Sequence, residues 1–76
     1  MDEVFEVPIR DDVIRLGQFL KLANLLESGA EAKLIVAEGE VAVNGETELR
    51  RGRQLTAGDV VTVFGNSARV GGPAPA

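Results

Sequence analysis

Apolar and polar positions interleave at the start of the chain. Val4, Phe5, Val7 and Ile9 sit among Glu3 and Glu6, so residues 2–9 read as a short extended segment. Pro8 assigns it to a sheet edge or a strand end. Arg10-Asp11-Asp12 is a polar link. The period then lengthens. Leu16, Phe19, Leu20, Ala23 and Leu26 follow the i, i+3, i+4, i+7 spacing of one apolar stripe, which predicts a helix over residues 15–26. Gln18, Lys21 and Asn24 fall opposite the stripe, with Gly17. Ser28-Gly29-Ala30-Glu31 has the form of a capping box and opens a second helix. Ala30, Leu34 and Ala37 mark one face of it, and Ala32, Ile35 and Val36 cover much of the rest. That near-continuous apolar surface predicts a well-buried helix. Gly39 ends it. The short connection predicts a tight helix pair.

Past Gly39 the period drops to two. Val41 and Val43 alternate with Glu40 and Ala42 up to Asn44-Gly45, and Glu46-Thr47-Glu48-Leu49 follows. Asn-Gly between alternating segments predicts a hairpin, because a type I′ turn needs positive φ at both central residues. Arg50-Arg51-Gly52-Arg53 is a basic loop, Ala57-Gly58-Asp59 a turn, and residues 60–64 a strand. Gly65-Asn66 is read as the turn into a last strand, Ser67–Val70. The elements describe an α+β fold: two helices packed on a small, mostly antiparallel sheet of about four to five short strands. One domain spans residues 1–70, and residues 71–76, poor in packing side chains, form a flexible tail.

Charge modifies this picture once it is located. The 76 residues carry eight basic and 12 acidic side chains, a formal charge of −4. Five of the acids fall within residues 1–12, against Arg10 alone. Residues 13–76 hold seven of each sign, with three arginines inside residues 50–53. The body is therefore neutral, and a nucleic-acid partner is compatible with it. Cys and His are absent, which excludes disulfides, thiolate or imidazole metal ligands, and the usual general base near neutral pH. No paired acid and base, nucleophile system or phosphate loop is visible, so a non-catalytic protein without cofactor or metal is expected. Asp11 and Asp12 are adjacent carboxylates with no further ligands nearby. No apolar run approaches the roughly 20 residues of a membrane span. The acidic start differs from a signal peptide's positive region, and a cytoplasmic location is expected. With Phe5, Phe19 and Phe64 the sole aromatics, the three rings are expected to pack rather than stack on bases.

The order of motifs is informative: Arg15-Leu16, Phe19-Leu20-Lys21, Ser28-x-x-Glu31-Ala32-Lys33, Glu38-Gly39-x-Val41-x-Val43-Asn44-Gly45, Arg50, and Gly58-Asp59-x-Val61-x-Val63. It resembles the αL-motif RNA-binding domain, the domain of the fourth small-subunit ribosomal protein. Leu16–Leu22 and Arg50–Arg53 look most like the small stand-alone YbcJ/YaaA-like members of that superfamily. The resemblance runs from about Ile14 to Phe64. It implies that the helix pair and the hairpin form a basic concave face for structured RNA of the ribosomal or transfer type. Carried over residue by residue, that face holds Lys21, Ser28, Lys33, Arg50, Arg51 and Arg53. Gly17 and Gln18 stand where the family often has an acidic and a basic residue. Gly29 and Leu34 replace further basic positions, so the Arg50–Arg53 cluster is the strongest remaining part.

Each signal has a plainer reading. The arginines can pair with Glu46 and Glu48, although exposed pairs contribute only about 0–1 kcal/mol. Lys21 can be a solvated surface residue, Lys33 can snorkel from apolar surroundings, and Ser28 is first of all a helix cap. The acidic lead, Asp2 to Asp12, is a solubility device on an edge strand, a repulsive element that sharpens nucleic-acid specificity, or a dock for a basic protein partner. Three functions are therefore compared: a monomeric RNA-binding module that works alone or on the ribosome, a protein-interaction module using the acidic strand, and a ubiquitin-like sulfur carrier suggested by Gly71-Gly72. The carrier reading would need the last four residues trimmed away.

Overall fold

The computed structural model describes residues 4–73. The elements run β1 (Val4–Ile9), β2 (Val13–Arg15), α1 (Leu16–Leu22), α2 (Gly29–Ala37), β3 (Val41–Val43), β4 (Glu46–Thr47), β5 (Gln54–Thr56), β6 (Val60–Val63) and β7 (Asn66–Pro73). Five strands form one sheet in the order β1-β7-β6-β3-β4, and β2 pairs with β5 in a second, two-stranded sheet. All pairs are antiparallel except β1 with β7. The structure is the α+β arrangement of two helices on a small sheet. Pro8 lies in β1, at the sheet edge, where its missing N–H costs no ladder bond.

The core forms where the helical stripe meets the alternating strands. Leu16, Phe19 and Leu20 from α1 and Ala32 and Val36 from α2 pack with Val41, Val43, Leu55, Val61, Val63 and Val70. Each Leu, Val or Phe so enclosed is worth about 1.5–3 kcal/mol of burial. Both residues of the Asn44-Gly45 turn have positive φ, 53° and 84°. The β3–β4 hairpin follows with Val43 opposite Glu46.

Several expectations are corrected. α1 ends at Leu22 instead of residue 26: Ala23 is the C-cap and Asn24 turns left-handed at φ 58°. Leu26 still reaches the core, from the connection rather than from the helix. α2 is not enclosed. Ala32 and Val36 are buried, whereas Leu34 is 59% exposed and Ala30 and Ala37 face solvent. The α2 stripe is therefore narrow, and none of the described residues covers its outer side. Of the three Phe, Phe19 alone is buried; Phe5 is 46% and Phe64 58% exposed. Phe64 leaves the strand at φ 51° and with Gly65 makes the β6–β7 turn, so the turn falls one residue earlier than Gly65-Asn66. The last strand runs on to Pro73, which pairs with Ile9, so Gly71–Pro73 are strand; residues 74–76 lie outside the described residues. Gly71 sits where a Cβ would meet Pro8 Cα at 3.2 Å and Val7 O at 3.3 Å. This is the close approach that a missing side chain permits.

Candidate nucleic-acid interface

The β2–β5 pair builds the site. Arg15 stands opposite Gln54, and the chain passes directly from Arg15 into α1. The first N–H groups of a helix lack partners within it. Here the 51–53 turn supplies them: Leu16 N–H donates to Arg53 O at 2.8 Å and Gly17 N–H to Arg51 O at 2.9 Å. The arginine loop is thereby sewn to the start of α1. Arg15 N–H also donates to Gln18 Oε1 at 3.4 Å.

Two adjoining clefts result. The first, about 340 Å³, is lined by Arg15, Gly17, Gln18, Lys21, Gly29, Ala32, Arg51 and Gly52. It brings three cations together and no carboxylate. Lys21 and Gly17 are four residues apart on α1 and share a face. The second, about 630 Å³, is lined by Arg15, Arg50, Gly52, Arg53 and Gln54. Arg15 borders both, so the basic surface is continuous from α1 to the loop.

The loop's arginines are not equivalent. Alternation past the hairpin turns Glu48 inward and Leu49 outward, the reverse of their polarity. Glu48 is tolerated inside because cations meet it. Arg50 Nε lies 3.2 Å from Oε2 and Arg53 Nη1 3.0 Å from Oε1, and the Arg50 N–H donates to Oε2 at 3.0 Å. The Glu48 side chain is only 8% exposed, while that of Arg50 is 77% exposed. The Arg50 side chain, then its backbone N–H, then Arg53 hold the Glu48 carboxyl down at about 2. Among the described residues, Glu46 makes no ion pair, and neither do Arg15, Lys21, Lys33 or Arg51.

The remaining sequence-derived residues divide. The Ser28 hydroxyl accepts the Glu31 N–H at 3.1 Å and is committed to capping. Glu31 reaches to the Glu27 N–H at 2.9 Å rather than to Ser28, one residue beyond the expected box. Gly29, the next residue, lines the first cleft. Lys33 is exposed on α2, one turn past Gly29, and lines neither cleft. Asn44 does more than turn: its amide donates to Asp59 Oδ1 at 3.0 Å and its carbonyl accepts the Val60 N–H at 2.9 Å. Partial burial raises the Asp59 carboxyl. The Thr56 N–H, the Asn44 amide and the charge of Arg53 outweigh that and leave it below its usual range.

Sequence reasoning missed Arg15 as a site residue. It was visible as an Arg just before the helical stripe. Its proximity to residues 50–54 depends on a three-residue strand pair that carries no strong pattern. On the acidic lead, Glu6 pairs with Arg69 at 3.5 Å across the exposed edge, and Asp2 and Glu3 lie outside the described residues.

Known proteins resemble this chain in sequence and in fold. RlbA of Bacillus subtilis, named as a ribosome maturation protein, is 51% identical over 59 residues, 78% of this chain and 83% of its own. YbcJ of Escherichia coli, named for RNA binding, is 42% identical over 57 residues, covering 75% of this chain and 81% of YbcJ. The solution structure of YbcJ, described as revealing an αL motif involved in RNA-binding, superposes with a TM-score of 0.69 at 35% identity over 93% of this chain and 91% of that one. The 30S ribosomal protein S4e of Thermoplasma acidophilum superposes at 0.61 and 28% identity, covering 79% of this chain and 32% of that longer protein. The model of the S4 domain matches residues 7–71, nearly the whole described structure, and the chain belongs to the S4 domain family.

Proposed function

We propose that this chain is a non-catalytic RNA-binding module that grips structured RNA of the ribosomal or transfer type across the two basic clefts. The observation that carries the reading is the first cleft, where Arg15, Lys21 and Arg51 converge without a carboxylate. Three cations held together repel one another unless an anion joins them, and phosphate oxygens are the anions that Arg and Lys bind with least geometric demand. Arg50 and Arg53 flank this contact from the second cleft, and Lys33 extends it along α2. Ser28 acts through the helix end it caps. The names of RlbA and YbcJ support an RNA or ribosome partner. Structured RNA is recognised through shape and backbone, which requires neither stacking aromatics nor reactive groups. The module acts as a monomer in the cytoplasm.

An NMR titration with a structured RNA fragment tests the reading. Shifts at residues 15–21 and 50–53 are expected. Shifts confined to residues 4–12 would overturn it in favour of protein docking through the acidic edge strand, a reading favoured by the exposure of Val4 and Phe5. The carrier reading has lost its support, because Gly71 and Gly72 belong to β7 rather than to a free tail.

A further inference from the structure

Gly17 occupies the second position of α1, where glycine is a poor helix former. A glycine is required in two situations: a positive φ, or a close approach by a neighbour. Gly17 has no positive φ, unlike Gly39, Gly45, Gly58 and Gly65. It has the close approach. A Cβ at this position would stand 2.7 Å from Arg51 Cγ and 3.1 Å from Arg51 Cδ. Those atoms are the middle of the side chain, so a Cβ could not be accommodated by a shift of the guanidinium alone. Gly29 and Gly52, which border the same cleft, have nothing within 4 Å and supply no such slot.

The Arg51 stem therefore lies across the bare first turn of α1, with its own carbonyl fixed by the Gly17 N–H. A long side chain ordinarily loses rotamer freedom when it binds, and a stem already seated loses less. Resting the stem on Gly17 carries Arg51 to the helix face that also bears Lys21 one turn later.

We propose that Gly17 is a positioning residue: its missing side chain is the seat that presets Arg51, with Arg15 and Lys21, as a clamp for RNA phosphates. This inference rests on the first cleft being the RNA-binding site. It assigns to Gly17 a distinct task, that of making room for a cation from the loop.

The experiment is a double-mutant cycle of Gly17→Ala and Arg51→Ala, with a labelled RNA stem–loop titrated across a range of salt and with thermal melts alongside. Each phosphate contact contributes about 0.7–0.9 to the slope of log affinity against log salt. Arg51→Ala is expected to reduce the slope by about 1. Gly17→Ala is expected to reduce it by a similar amount although Arg51 is still present, and the double variant no further. In the melts, alanine is the better helix former. Gly17→Ala should therefore raise Tm in the Arg51→Ala background and raise it less, or lower it, in the wild type. A wild-type slope for Gly17→Ala, or the same Tm change in both backgrounds, would overturn the seat alone. A wild-type slope for Arg51→Ala would instead remove the cleft as the RNA site, and the role of Gly17 with it.

Discussion

Arg51 and Arg53 stand two residues apart in one turn and face opposite electrostatic surroundings. Arg53, with Arg50, meets the sheltered Glu48 carboxylate, so much of its charge is answered within the protein. Arg51 lies over Gly17 and, with Arg15 and Lys21, faces a cleft with no carboxylate in its lining. One half of the loop is tied to an internal counter-ion, and the other half meets none among the described residues. A cluster of like residues in sequence is therefore not a cluster of like surroundings. What separates its members is which of them find an internal counter-ion.

The largest expected effect tests this division directly. Replacing Arg15, Lys21 and Arg51 together by Ala should weaken binding to an RNA stem–loop on the order of 100-fold near physiological salt and flatten the salt slope by about 2–3, with Tm little changed. Replacing Arg50 and Arg53 by Ala should do the reverse: a clear drop in Tm, because Glu48 is left sheltered and unpaired, with a smaller loss of affinity. If the two variants exchanged these signatures, the division of the loop would be wrong.

A single substitution sharpens it. Glu48→Gln keeps the shape and removes the charge. Tm should fall by about 5 °C, while RNA affinity rises a few-fold because two guanidinium groups are released. A fall in both quantities would mean that Arg50 and Arg53 need Glu48 to reach RNA.

Acid should reproduce part of this effect. Glu48 titrates at about 2 in the folded protein against 4.5 ordinarily. A carboxyl held below its unfolded value stabilises the fold fully above about pH 4.5, and that contribution is lost as the pH falls toward 2. Melts from pH 5 down to 2 should show the decline, and Glu48→Gln should show less of it. The smallest effect concerns Ser28. Ser28→Ala should cost about 1 kcal/mol of stability through the lost cap and leave the RNA salt slope unchanged, since its hydroxyl is already committed to the Glu31 N–H.

Legibility in the sequence followed the strength of local patterns. The Ser28 cap, the Gly39 stop and the Asn44-Gly45 turn each rest on short-range rules, and each is where those rules put it, whereas the α1 stripe runs on past the end of its helix at Leu22. Composition alone could not divide the buried from the exposed. Leu34, Phe5 and Phe64 are apolar yet open to solvent, because a domain of this size has too few layers to cover every face. Glu48 is sheltered because two arginines reach it, which no alternation pattern records. β2 and β5 are three residues each and were invisible as strands, so Arg15 was not connected to the loop it borders. Lys21 and Arg51 were found by motif; the slot at Gly17 required atomic positions.

The pairing of β1 with β7 also bears on how the chain reaches this state. It joins Val4 to Ser67, nearly the full length of the described chain, and closing so long a loop carries the greatest entropy cost of any strand pair here. During synthesis, Val4–Ile9 emerges before the other described strands but has no strand partner among them until Asn66–Pro73 has been made. An apolar strand left open in that interval is an aggregation hazard. Glu6 and Pro8 interrupt it, and acidic residues flank it in the sequence on both sides. Negative charge beside a strand that must wait for its neighbour is one of the ways in which edge strands avoid pairing with other copies.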